Sequence, residues 1–255
     1  MKMSGVLKPK CIVIAQPQRP ELKHLSKLPN SVEIVKISKS FADVGDEELR
    51  DVECMLVGAG PTGGTGIDAQ EVFTRLPSLK WIHSTMAGLD FLMFDALLEA
   101  EGITVTNSKG VYSRSLAEYA LFAAKYFALD APRLLSQKAD KTWEKYPVGE
   151  LAGKTLSVIG YGDIGQATGK LAKAYGMNVL ACRRNPKLSE DDPILSKMYP
   201  VSEINAMVAE SDYVVVSTPL TPGTKHIVNA EVLSSMKPSG VSASSLPLPR
   251  SPDPR

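Results

Sequence analysis

Cysteine, histidine, long apolar runs and charge of one sign are all scarce in this chain. The three cysteines, Cys11, Cys54 and Cys182, are an odd number at wide spacing, with no CxxC pair. Together with only three histidines, this argues against a disulfide framework and a zinc site. Cys11 and Cys54 fall in the apolar runs "KCIVIA" and "ECMLVG", where buried thiols are common. The longest early apolar run, "CIVIA", is too short for a signal-peptide core or a bilayer span. A net charge of +1 leaves no basic excess for tracking phosphates along a nucleic acid. The expectation is a cytoplasmic protein of a reducing compartment, with no metal, nucleic-acid or membrane partner. Its 255 residues suffice for two domains, each with its own core.

What is present is alternation. Short β-branched runs at 10–15, 31–38, 53–58, 79–85 and 103–108 read as strands punctuated by Gly, Pro or Asn. Helix candidates lie between them at 20–28, 46–52, 68–76 and 90–100. Strands alternating with helices imply right-handed crossovers and a parallel sheet, hence an α/β domain over 1–112. The segment 113–150 opens with the long helical stretch "SRSLAEYALFAAKYFALDAPRLLSQ", which Pro132 kinks or splits. Its apolar residues nearly encircle the helix, so it is either a connector packed between two cores or, in addition, a subunit interface.

A second domain, 151–238, begins with the strand "TLSVIG", a glycine turn, and a helix whose stripe Ile164, Ala167, Leu171, Ala174 and Tyr175 repeats at the helical period. "NVLACR", "EINAMVAE", "YVVVST" and "AEVLSSM" follow as strand, helix, strand and helix. Gly160, Gly162 and Gly165 form GxGxxG, with Asp163 and Ile164 between the last two. Alone the pattern is weak. After a strand, opening an amphipathic helix, with a second strand ending about twenty residues on, it is the context a dinucleotide fingerprint requires. Gly160 allows the tight turn, Gly162 lets backbone approach a pyrophosphate, and Gly165 lets helix lie on strand. The helix N-terminus offers N–H groups and partial positive charge. The competing reading is a purely structural strand-turn-helix. At the end of the second strand, where an NAD site places an acid for the ribose hydroxyls, stand Arg183 and Arg184. Guanidinium groups pair with a 2′-phosphate, so NADP is expected over NAD. Two solvated arginines on a surface turn are the plainer alternative.

With these residues in view, the chain resembles the D-isomer-specific 2-hydroxyacid dehydrogenases over about 11–238. The marks are "STMAGLDFL" (84–92), "ITVTNSKGVYSRSLAEYAL" (103–121), "LAGKTLSVIGYGDIGQATGKLAKAYGMNV" (151–179) and "STPLTPGTKHIVN" (217–229). The resemblance implies a flavodoxin-like first domain and a Rossmann-type cofactor domain. It implies hydride transfer between a nicotinamide cofactor and a small 2-oxo or 2-hydroxy acid, and a homodimer. It assigns Ala87 and Gly88 to the loop holding the substrate carboxylate, and Thr218, Pro219 and Thr224 to the cofactor cleft. It also sets Arg183 where NAD-using relatives carry Asp.

In the family an arginine orients the acid and a histidine supported by a glutamate supplies the proton. Those groups follow a buried strand after "MKPSGV". Here that point gives way to "SASSLPLPRSPDPR", whose prolines cannot serve a central strand. The expectation is a cofactor domain incomplete at its C-terminal end, with its fourth strand missing and a disordered Pro/Ser-rich tail over 239–255. No catalytic residue is assigned. His24 and His226 lie away from the substrate loop, His83 is more simply a packed strand histidine, and Arg250 sits in the tail. The expected behaviour is cofactor binding with little or no turnover, the alternative being a non-catalytic NADP(H)-binding module or regulator.

Overall fold

The computed structural model describes residues 8–38, 44–58 and 74–244. The expected helix at 68–76 falls largely outside these residues, and Arg250 wholly so. The chain divides into two units, Met1–Lys109 and Gly110–Arg255, and both are α/β with parallel sheets.

In the first unit the β-branched runs become β1 (Lys10–Ile14), β2 (Glu33–Ser38), β3 (Val52–Val57), β4 (Trp81–Ser84) and β5 (Thr104–Asn107). Their order is β2-β1-β3-β4-β5, every pair parallel. The order reverses at β1. With right-handed crossovers, the β1–β2 connection therefore lies on one face and the β4–β5 connection on the other. The core follows the second face: Ile12, Ile14, Met55, Val57 and Ile82 join Leu49 of α1 (Asp46–Leu49) and Leu97 of α2 (Asp95–Leu98). The opposite face carries the register row Cys11, Cys54 and Trp81, the last 44% exposed.

Local signals explain where the helices differ from expectation. The 20–28 stretch forms a 3-10 helix, Pro20–Lys27, whose Leu22 and Leu25 sit three apart as that helix requires. The 46–52 helix stops after one turn because Val52 already belongs to β3. The 90–100 stretch splits into a 3-10 turn, Asp90–Leu92, and α2.

The second unit opens with α3 (Ser113–Ala128) and α4 (Ala131–Ala139). The single long helix breaks at Asp130, which takes a left-handed conformation (φ 47°, ψ 52°), and Pro132 sits in the first turn of α4, where its missing N–H costs nothing. α3 buries Ala117, Ala120, Leu121 and Ala124. The sheet comprises β6 (Thr155–Ile159), β7 (Asn178–Cys182), β8 (Lys197–Tyr199), β9 (Tyr213–Val216) and β10 (Val241–Ser244), with α5 (Asp163–Ala174), α6 (Ile204–Ala209) and α7 (Ala230–Ser235) between them. The order is β10-β9-β6-β7-β8, all parallel. Alternate residues feed two cores. Leu156, Val158, Val179 and Ala181 meet Leu121 and Ala124 of α3 on one side, while Ile159, Leu180, Val214 and Val216 meet Met207 of α6 and Val232 of α7 on the other.

The expected loss of a fourth strand is corrected here. β10 pairs with β9 from Val241↔Tyr213 to Ser244↔Val216. "VSAS" itself holds no proline, and as an edge strand it needs only one ladder. Its start is fixed by Val241 N–H donating to the Asp212 carbonyl (3.0 Å) and by Lys237 Nζ on the Asp212 carboxylate (3.0 Å). The expected tail therefore begins as strand, and 245–255 lies outside the described residues.

Candidate dinucleotide-binding site

The order of the second sheet reverses between β6 and β9, and ligands of open α/β sheets bind at the carboxyl ends of strands flanking such a point. Gly160 follows β6 and Thr218 closely follows β9. Gly160 has φ +95°, and a Cβ there would stand 2.7 Å from Thr218 Cγ2 and 2.8 Å from its backbone N. Only glycine satisfies both conditions. The turn is held by Ser217 Oγ donating to the Gly160 carbonyl (2.7 Å) and by the Gly160 and Tyr161 amides donating to the Cys182 carbonyl (2.9 and 3.2 Å). The ends of β6, β7 and β9 thus meet at one place.

α5 starts here. A Cβ on Gly165 would lie 2.5 Å from the Gly160 carbonyl and 2.9 Å from Val158 Cγ1, so its absence lets helix and strand touch. At Gly162 the same construction meets nothing within 4 Å. Packing within the chain therefore does not demand that glycine. It leaves space beside a helix N-terminus whose N-cap, Gly162, brings no side chain to it. Such a space suits a diphosphate approaching backbone amides closely. Asp163 is exposed and Ile164 half-buried at the start of this helix. Thr218 Oγ1 is buried without a hydrogen-bond partner, and a buried hydroxyl in that state is costly unless a ligand satisfies it. The residues present therefore fit a nicotinamide dinucleotide: glycine-lined amides for the pyrophosphate, Thr218 beside them, and arginines beyond β7.

Arg183 is half-buried and Arg184 exposed. Arg183 Nη1 donates to Ser189 Oγ at 2.6 Å. Burial pushes the Cys182 thiol up to about 11, so it stays protonated and inert beneath the turn. Pro219 is exposed. Thr224 Oγ1 donates to the Pro219 carbonyl and accepts the Thr221 amide (2.9 Å), so its hydroxyl shapes the loop. Tyr161, 1% exposed, donates to Asp192 Oδ2 at 3.1 Å. Burial, then the Asp192 charge and that bond, hold its phenol above the usual range. Sequence reasoning did not single out Ser217, Ser189, Tyr161 or Asp192. Ser217 and Tyr161 lay inside quoted motifs, whereas nothing in the chain marks Ser189 or Asp192.

In the first unit, Ala87 and Gly88 form an exposed turn after β4. Asn107 Nδ2 donates to the Ala87 carbonyl (2.6 Å), and the Met86 amide donates to Ser84 Oγ (3.1 Å). One side chain thus holds the Ala87 carbonyl and the other the Met86 amide. His83 Nδ1 lies 2.8 Å from Thr106 Oγ1, while His24 and His226 are exposed. Among the described residues no histidine pairs with a carboxylate, and no cluster of three or more His, Cys, Asp or Glu side chains is placed to hold a metal.

Residues 126–242 match the family described as "D-isomer specific 2-hydroxyacid dehydrogenase, NAD binding domain". The match takes in somewhat under half of the chain and likens its second unit to the cofactor domain of that family. It is 30% identical over 197 residues to D-3-phosphoglycerate dehydrogenase of Methanocaldococcus jannaschii, covering 76% of this chain and 36% of that protein. It is 29% identical over 207 residues to glyoxylate reductase of Thermococcus onnurineus, covering 76% and 58%. The chain thus spans roughly a third to somewhat over half of the length of these curated relatives. Two solved members share the fold at 23% identity and a TM-score of 0.70. They are D-lactate dehydrogenase of Aquifex aeolicus with NAD and lactic acid (92% of this chain, 68% of that one) and a family protein of Xanthobacter autotrophicus with NADPH (93% and 72%). Both cofactor types therefore occur on this fold, and no helix among the described residues is long and apolar enough to cross a membrane.

Proposed function

We propose that the second unit binds NADP(H) in preference to NAD(H) and serves hydride transfer between nicotinamide and a small 2-oxo or 2-hydroxy acid. The observation that carries this reading is the open space at Gly162, the N-cap of α5, together with the unsatisfied hydroxyl of Thr218, which packs against Gly160. When bound, the nicotinamide supplies the hydride donor or acceptor. Gly160, Gly162 and Gly165 bare the amides that hold the diphosphate. Asp163 and Ile164 contribute their amides to the same helix end. Thr218, Pro219 and Thr224 line the cleft, and Arg183 and Arg184 take the 2′-phosphate. In the first unit the Ala87–Gly88 amides converge on the acid's carboxylate.

The 255-residue chain itself binds cofactor with little or no turnover. His83 is spent on Thr106, and among the described residues neither His24 nor His226 pairs with a carboxylate that would hold its ring for proton transfer. The same observation favours the second reading, a non-catalytic NADP(H)-binding module. Titrating purified chain with NADPH and NADH, then assaying glyoxylate and hydroxypyruvate reduction, tests both. NADPH binding without turnover is expected. Robust turnover overturns the inactive reading, and no binding of either cofactor by folded chain overturns the site.

A homodimer is part of the same proposal. Tyr119, Phe122 and Phe127 of α3, Leu134 and Leu135 of α4, and Trp143 (93% exposed) leave apolar side chains on the helical segment in water. A second copy is their proposed cover, and sedimentation showing only monomer at micromolar concentration would oppose it. The three cysteines are unpaired, which suits a reducing cytoplasm.

A further inference from the structure

The Arg183 side chain is held in place. It extends from the residue after β7, immediately beside the Cys182 carbonyl that anchors the glycine turn. Its Nη1 is fixed at 2.6 Å by Ser189 Oγ, and Ser189 is only 7% exposed, closing the 3-10 helix Pro186–Ser189. Three residues on, Asp192 accepts the Tyr161 hydroxyl (3.1 Å) and takes the Ile194 amide on its other oxygen (2.9 Å). Segment 186–192 is therefore tied at its end, Asp192, to the glycine turn's own tyrosine and at its middle, Ser189, to the guanidinium.

The chemistry of that contact matters as much as its geometry. Ser189 is a neutral acceptor, so the guanidinium is oriented without being neutralised. A carboxylate at the same place would orient it equally well but cancel the charge a dianion needs. A free arginine would lose rotamer entropy on binding, whereas one already held loses less.

We propose that Ser189 is the positioning residue that pre-sets Arg183 for a 2′-phosphate, making segment 186–192 the element that sets cofactor preference. The inference rests on the dinucleotide reading above and deepens it. NADPH and NADH dissociation constants, measured on the full chain by nucleotide fluorescence, test it with three variants. Ser189→Ala should weaken NADPH about 3- to 10-fold, the worth of one oriented hydrogen bond, and move NADH less than about twofold. Ser189→Asp should weaken NADPH further than Ser189→Ala by pairing with the guanidinium. Arg183→Asp should weaken NADPH by about 10-fold or more and shift preference toward NADH.

The outcomes separate the two claims. If Arg183→Asp weakens NADPH but both Ser189 variants match the parent, the positioning role is wrong and the 2′-phosphate site stands. If Ser189→Ala weakens both nucleotides equally, Ser189 merely supports the loop and the proposal falls. If Arg183→Asp changes nothing, the 2′-phosphate reading itself fails.

Discussion

The two sheets solve the same problem at their reversal points with different results. In the first unit the strand order turns at β1, and Gly58, just past β3, lets the chain pass Ala15, just past β1: an added Cβ would stand 3.0 Å from that of Ala15. In the second, Gly160 past β6 passes Thr218 past β9 in the same manner, but tighter and at positive φ. The divergence comes immediately downstream. β1 leads into "QPQRPELK" and a 3-10 helix entered through proline, while β6 leads into a glycine turn and the twelve-residue α5. A close approach of strand ends is common to both units. An anion seat needs, in addition, a long helix starting at that point with its amides uncovered. The units also differ in cover. Among the described residues the second sheet has a buried cluster on each face, whereas the first unit's buried cluster follows one face.

Substitutions at the glycines sharpen this contrast. The largest expected effect is at Gly165, where Ala would press on a backbone carbonyl and on Val158. Chemical denaturation should show a loss of about 3 kcal/mol, with dinucleotide binding abolished. Gly58→Ala should cost only about 1 kcal/mol, because a methyl meeting a methyl at 3.0 Å can be relieved by a small shift. Equal losses at the two sites would break the comparison.

A smaller effect is expected at Asp212, which receives the Thr155 amide (2.8 Å) and Lys237. Burial alone would raise its carboxyl, but these two donors outweigh it and hold it below the ordinary 3.8. A depressed carboxyl contributes stability above the ordinary value and loses it as pH falls through the folded one. Asp212→Asn should cost about 1 kcal/mol at pH 7 and make the acid limb below pH 3.8 shallower than the parent's. Parallel acid limbs would remove Asp212 from the anchoring of β10.

How much was legible follows from how backbone chemistry is written. Gly160, Gly162 and Gly165 could be read because no other residue fits a positive φ, a close helix and a bare amide at that spacing. β1 through β7 and β9 could be read because buried parallel strands are apolar runs. β8 and β10 could not. "KMY" is three residues long and "VSAS" holds one large apolar side chain, so each is strand only because a ladder partner is there. The break at Asp130 was half legible: Pro132 announced it, but a left-handed aspartate carries no signal of its own. Ser189 and Asp192 were silent because their roles depend on which side chains the turn after β7 brings to them.

The central claim is that the gap at Gly162 is kept open for a diphosphate, and Gly162→Ala measures it most directly. Apart from its two chain neighbours, no described residue lies within 4 Å of the new methyl, so urea unfolding should stay within about 0.5 kcal/mol of the parent. NADPH affinity should fall at least about fivefold, since overpacking of about 1–3 kcal/mol falls on the bound nucleotide. An unchanged NADPH affinity in that variant would contradict the account.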